Sequence, residues 1–149
     1  MNGNTATTVK SKKLDQDVRN ISKEKFTTLL ERRSKIPTTS KLQTGLAPDG
    51  GVFYDGETPV IAFEAKHQGN SGNAIERGWN NVTVGILGHN LKRYVLFMTG
   101  EGAKRGNVLD KHAITLHEVF NGKVVCYLSA DGFSKKQIRA IMQYELQQV

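Results

Sequence analysis

The stretch Pro48-Asp49-Gly50-Gly51-Val52-Phe53-Tyr54-Asp55-Gly56-Glu57-Thr58-Pro59-Val60-Ile61-Ala62-Phe63-Glu64-Ala65-Lys66 decides how this chain is built. Asp55-Gly56 is strong hairpin chemistry, and it sits between two short runs rich in β-branched and aromatic residues. Val52-Phe53-Tyr54 and Pro59-Val60-Ile61-Ala62-Phe63 therefore read as the two strands of a β-hairpin. A two-residue loop at Gly56-Glu57 or a four-residue loop from Asp55 to Thr58 gives one register, with Tyr54 opposite Pro59. Carried to the open end without a bulge, that register sets Asp49 opposite Glu64, with Cβ atoms roughly 4.5–5.5 Å apart. Two carboxylates so close repel each other unless a proton or a cation lies between them. Lys66 follows Glu64 by two residues and projects from the same face of the strand, while Ile61, Phe63 and Ala65 take the other face and enter the core.

A carboxylate followed by carboxylate-x-lysine at the end of an apolar strand is the donor set a magnesium-dependent phosphodiesterase needs. Magnesium binds one or two carboxylates together with waters and phosphate oxygens. The bare pattern is common, and by itself it also fits a hairpin with scattered surface charges. Composition adds a second pointer. Twenty-one Lys and Arg against 14 Asp and Glu give a net charge of +7, which favours a polyanionic partner through the sequence-independent phosphate attraction. The 149 residues, 38% of them hydrophobic, suit one globular domain. No apolar run approaches the roughly 20 residues of a membrane span, and the polar segment Met1 to Lys13 lacks the apolar centre of a signal peptide. The expectation is a cytoplasmic protein with no membrane partner. Cys126 is the only cysteine, so an intrachain disulfide and a zinc–thiolate cluster are both excluded. It reads as a buried structural thiol.

Residues 1–13 read as a disordered tail and 14–149 as a single domain. Leu14, Val18, Ile21, Phe26, Leu29 and Leu30 recur at mostly helical spacing up to about Arg33, as one helix or as two if Ser22 to Lys25 starts a fresh one. A linker from Ile36 to Ala47 leads into the hairpin, and His67 to Gly72 is a glycine-rich loop. A helix from Asn73 to about Gly88, a buried strand from Arg93 to Met98, a helix from Asn107 to Phe120 and a strand from Lys123 to Leu128 follow. Ser134 caps a last helix, with Ile138, Ile141, Met142 and Leu146 as its apolar stripe. The loop Gly100 to Gly106 lacks the Gly-Lys-Ser/Thr of a P-loop, so no nucleotide cofactor is expected. The order defines an α/β fold, a mixed β-sheet flanked by helices on both faces.

Pro48-Asp49-Gly50-Gly51, Phe63-Glu64-Ala65-Lys66-His67-Gln68-Gly69 and Gly72-Asn73-Ala74-Ile75-Glu76-Arg77, with Tyr94-Val95-Leu96-Phe97 as the next strand, closely resemble the EcoRI and MunI branch of type II restriction endonucleases. That branch belongs to the PD-(D/E)xK nuclease superfamily, and the likeness covers residues 46–98. The resemblance implies a restriction-endonuclease-like core and a homodimer that cuts both strands of double-stranded DNA at a palindrome with an AATT core, leaving 5′ overhangs. It implies Asp49, Glu64 and Lys66 as catalytic residues. Mg2+ would be held by Asp49, Glu64 and the Ala65 carbonyl, and Lys66 would orient or activate the attacking water. Asn73, Ala74, Glu76 and Arg77 would read bases, with Gln68 as a further contact. Asn suits an adenine edge and Arg a purine N7. By spacing alone, a helix N-cap at Asn73 with Glu76 in a capping arrangement is the favoured reading, and the resemblance reverses that preference. His67 is expected to support its loop, and Trp79 to lie in the core or a dimer interface. The short linker Asn70-Ser71 resembles the MunI side of the branch, and Asn70 stands where family members carry a lysine. A repair or recombination nuclease of the same superfamily, or a non-catalytic DNA-binding module on the same scaffold, are the competing expectations.

Overall fold

The computed structural model of the protein describes the backbone of residues 3–38, 44–68 and 74–149, and the side chains of these except 3–11 and 74–78. The hairpin is central. Strands β2 (Val52–Asp55) and β3 (Thr58–His67) pair antiparallel, and β1 (Glu31–Arg33) pairs antiparallel with the outer side of β2. On the other side β4 (Arg93–Thr99) runs parallel to β3, and β5 (Val124–Ser129) runs parallel to β4. The result is one five-stranded mixed sheet in the order β1-β2-β3-β4-β5. Among the described residues four α-helices accompany it: α1 (Gly3–Ser22), α2 (Ala74–Thr83), α3 (Val108–Val119) and α4 (Lys135–Leu146). A π-helical turn, Val84–Gly88, continues α2.

Period-two alternation along the strands divides the core in two. Phe53, Ile61, Phe63, Val95 and Phe97 pack with Leu14, Val18 and Ile21 of α1 and with Ile138, Met142 and Leu146 of α4. Tyr54, Ala62, Tyr94 and Leu96 pack with Val82 of α2 and Ile86 of the π-helical turn, and with Leu109 and Leu116 of α3. Helices thus cover both faces, as the pattern of elements predicts.

Helix α4 starts where its sequence signal says. The Ser134 hydroxyl accepts from the Gln137 N–H at 3.1 Å, and the Gln137 side chain accepts from the Ser134 N–H at 2.8 Å, a reciprocal capping box. Its other end is locked by Glu145, which is fully buried and paired with Arg93 of β4. The Tyr127 hydroxyl of β5 donates to the same carboxylate at 2.8 Å.

Three expectations change. The periodic segment 14–33 does not stay helical: α1 ends at Ser22, and Glu31–Arg33 becomes edge strand β1. Phe26 and Leu30 still pack against the α1 side of the core, so apolar spacing there reports burial and not helix. At the other end α1 begins at Gly3, within the segment read as a disordered tail. Once a buried turn exists, each further helical residue adds a hydrogen bond without a new nucleation cost. The third change is the hairpin register. Tyr54 does pair with Pro59, but Phe53 pairs with Ile61, so Val60 is an extra, bulged residue. At Phe53 and Val52 the pairing is offset by one.

Candidate active site

The approach of the chain before β2 to the end of β3 decides where Asp49 sits. Val52 faces Ala62, and beyond it Gly50 and Gly51 together face Phe63: the Gly50 N–H donates to the Phe63 carbonyl at 2.8 Å, and the Phe63 N–H donates to the Gly51 carbonyl at 3.3 Å. Asp49 Oδ2 accepts from the Ala65 N–H at 3.0 Å, so the carboxylate is fastened to the peptide between Glu64 and Lys66. The approach needs glycine: a Cβ on Gly50 would lie 2.7 Å from Phe63 Cβ, and Gly51 has φ +73°. In an antiparallel pair the N–H and C=O of one residue address the same neighbour. The Ala65 carbonyl therefore faces the edge where the Asp49 carboxylate lies.

Glu64 lies only 3% exposed. Burial pushes its carboxyl above the ordinary range, the Lys66 ammonium pulls it down and the Asp49 charge pushes it up. Both oxygens have donors: Asn81 Nδ2 reaches Oε1 at 2.7 Å, and the Tyr94 hydroxyl reaches Oε2 at 3.0 Å. Asp49, Glu64 and Lys66 thus share one electrostatic neighbourhood at the C-terminal end of β3.

Helix α1 adds two charges that sequence reasoning missed. The Arg19 guanidinium lies 3.8 Å from Asp49 Oδ1. Asp15, one turn earlier, is half-buried and its carboxyl is pushed up to about 6, first by burial, then by the Asp49 charge, against the pull of Lys66 and Arg19. Arg32 of β1 stands near Arg19, whose charge adds to burial in lowering its pKa, and its Nε donates to the Ser22 hydroxyl at 2.8 Å. The available signal was the i, i+4 spacing of Asp15 and Arg19 beside the apolar stripe Leu14, Val18 and Ile21.

The remaining predicted site residues divide. Gln68 is buried, its backbone tied to Thr99 and Gly102, and a Cβ on Gly102 would meet its side chain at 2.6 Å. It is packed into the fold beneath the turn Glu101–Ala103. Asn73 lies outside the described residues. Ala74, Glu76 and Arg77 form the first turn of α2, and their side chains lie outside the described set. His67 Nδ1 is 2.8 Å from the Thr99 hydroxyl, joining the ends of β3 and β4. Trp79 packs against the α3 side of the core and donates to His112 Nδ1 at 3.2 Å. Cys126 is a thiol that burial pushes up to about 12, which leaves it protonated and unreactive.

Among the described residues no group of three or more His, Cys, Asp or Glu side chains is arranged to hold a metal. The donor set here is two carboxylates with a main-chain carbonyl beside them, which suits a hard cation that retains waters. Also among the described residues, no helix is long and apolar enough to cross a membrane. A comparison of the chain with protein-family models, curated protein sequences and solved structures finds no match.

Proposed function

We propose that this chain is a Mg2+-dependent type II restriction endonuclease of the EcoRI and MunI branch, acting as a homodimer on double-stranded DNA at a palindrome with an AATT core and leaving 5′ overhangs. The observation that carries the proposal is the fastening of Asp49 onto the Ala65 N–H, beside buried Glu64 and with Lys66 in the same electrostatic neighbourhood. Nothing in folding alone favours gathering carboxylates at one strand end, where burial and mutual repulsion both raise their cost. The motifs from Pro48 to Arg77 supply the branch, and the net charge of +7 suits a polyanion.

Asp49, Glu64 and the Ala65 carbonyl would hold the cation, whose contribution is to lower the pKa of bound water and to neutralise phosphate charge. Lys66 brings an ammonium to the same place. It orients the attacking water and offsets the charge that builds on the phosphorus oxygens in the transition state. Arg19 stands next to Asp49 with half its side chain exposed and can take a neighbouring backbone phosphate. As the resemblance implies, Asn73 and, in the first turn of α2, Ala74, Glu76 and Arg77 would read base edges in the major groove.

The test is digestion of phage DNA by the purified protein with Mg2+, followed by sequencing of the fragment ends. Discrete fragments ending in one palindrome are expected. A smear would replace the proposal with a repair or structure-selective nuclease, and bound but intact DNA with a non-catalytic module.

A further inference from the structure

Glu64 is gripped from two elements at once. Asn81, near the end of α2, claims Oε1, and Tyr94, at the start of β4, claims Oε2. Tyr94 is fully buried, and burial, reinforced by the Glu64 charge, raises its pKa so far that its hydroxyl remains a donor throughout the usual pH range. The two grips are themselves connected. Gly85, in the π-helical turn after α2, lies so close to the Tyr94 ring that a Cβ there would come within 2.9 Å of it. One continuous helical segment therefore reaches Glu64 directly through Asn81 and borders it again through the ring of Tyr94. Widened π turns of this kind are frequent at functional sites.

We propose that Asn81 and Tyr94 are positioning residues that aim the Glu64 carboxylate at the cation, and that Asn81 makes the geometry of the metal site depend on the placement of α2. The proposal rests on Glu64 being a metal-holding carboxylate. A carboxylate oxygen offers about two acceptor sites, so each donor leaves its oxygen one further site and fixes where that site points. Long side chains at a half-open strand end sample several rotamers, and ordering them costs free energy on binding. Here that ordering is complete before a cation arrives. Outer-shell donors to metal ligands act in this way, and removing one weakens metal binding or activity about 10–100-fold. A purely structural role fits less well. A carboxyl group 3% exposed beside a second carboxylate is costly to the fold whether it is charged or protonated, and an apolar residue would fill the space more cheaply. Since α2 also carries Glu76 and Arg77, any displacement of the helix by DNA is transmitted to Glu64 through Asn81.

The experiment is calorimetric titration of Mn2+ into the DNA-free full-length protein, as wild type, Asn81→Leu, Tyr94→Phe and Glu64→Gln. DNA retention in EDTA and single-turnover cleavage are measured on the same preparations. Asn81→Leu keeps the branched outline of the side chain, at a larger volume, and removes the donor. Tyr94→Phe removes only the hydroxyl and keeps the ring against Gly85, so it carries the test even where Asn81→Leu does not fold. The expected result is Mn2+ binding weaker by about 10–100-fold in both variants, a matching fall in the cleavage rate and unchanged DNA retention in EDTA. Mn2+ binding as tight as wild type in the folded variants overturns the positioning role. If wild type and Glu64→Gln bind Mn2+ alike, Glu64 is not a metal-holding carboxylate, and the nuclease proposal itself loses its metal site.

Discussion

Single charges carry the chemistry of this site, and their consequences can be separated. Asp49 and Lys66 act on the reacting phosphate in the proposed nuclease, and neither is needed to hold DNA. Asp49→Ala or Lys66→Ala should abolish cleavage while DNA retention in EDTA survives; loss of both together would remove the assigned roles. Asp15 gives a different signature. Its carboxyl is raised from 3.8 to about 6 by burial and by the Asp49 charge. Between those values the native chain holds a proton that the unfolded chain has released, so ionised Asp15 costs stability above about pH 6, and that cost disappears as pH falls toward 4. In metal-free buffer Asp15→Asn should raise stability at pH 8 by about 1 kcal/mol, well below the unscreened value because the side chain is half exposed. At pH 4 it should do little. Equal urea midpoints for variant and wild type at both pH values would sink the assignment. Asp49, Glu64 and Lys66 were legible because they lie on one hairpin, where local register brings them close. The bulge at Val60 was not, since nothing in Pro59-Val60-Ile61 announces it. Asp15 and Arg19 were invisible as site residues because only the docking of α1 on β3 brings them near Asp49.

Elements were readable in proportion to how local their causes are. The capping box at Ser134 and the stripe Ile138, Met142 and Leu146 fix α4 from sequence, and the structure agrees. Strand β1 was lost because Glu31-Arg32-Arg33 has no alternating apolar pattern, and pairing with β2 alone makes it a strand. The parallel strands β4 and β5 were found from their continuous apolar runs, the usual mark of burial on both faces. At this scale, in the proposed nuclease, helix α2 would matter most for specificity. Its first turn holds Ala74, Glu76 and Arg77, and its last holds Asn81. If Arg77 reads a purine, Arg77→Ala should narrow the difference between cognate and altered sites by about 1–3 kcal/mol in competition binding. An unchanged preference would take Arg77 out of base reading. The locked end of α4 makes a separate prediction for folding. Glu145→Ala leaves the Arg93 guanidinium without its carboxylate at the packed start of β4, and should lower stability by about 3–5 kcal/mol in chemical denaturation. A loss below 1 kcal/mol would mean that solvent reaches Arg93 and replaces the pair.

The molecule as a whole carries a net charge of +7, yet it concentrates carboxylates at the end of β3, the place proposed to meet phosphate. These two features oppose each other, and salt separates them. Contacts between cations and backbone phosphates release counterions, so the logarithm of affinity falls linearly with the logarithm of salt concentration, at about 0.9 per neutralised phosphate. A homodimer neutralising six or more phosphates should lose at least about a thousandfold in affinity between 50 and 200 mM salt. In the proposed nuclease Asp49 works against that attraction in the absence of a divalent cation, because its carboxylate would stand where phosphate approaches, with Arg19 as its ion-pair partner among the described residues. Asp49→Ala should therefore bind DNA more tightly than wild type in EDTA at low salt. The advantage should shrink as ionic strength rises, since charges separated by more than about 8–10 Å are screened at physiological salt. Adding Ca2+ should erase it in the wild type, where the cation neutralises the carboxylates and restores affinity, and leave the variant little changed. Filter-binding titrations over salt, with EDTA and with Ca2+, read all of these slopes. A salt-independent affinity would remove DNA as the partner. A wild type that binds equally with and without Ca2+, and no more weakly than Asp49→Ala, would mean that Asp49 does not face phosphate at all.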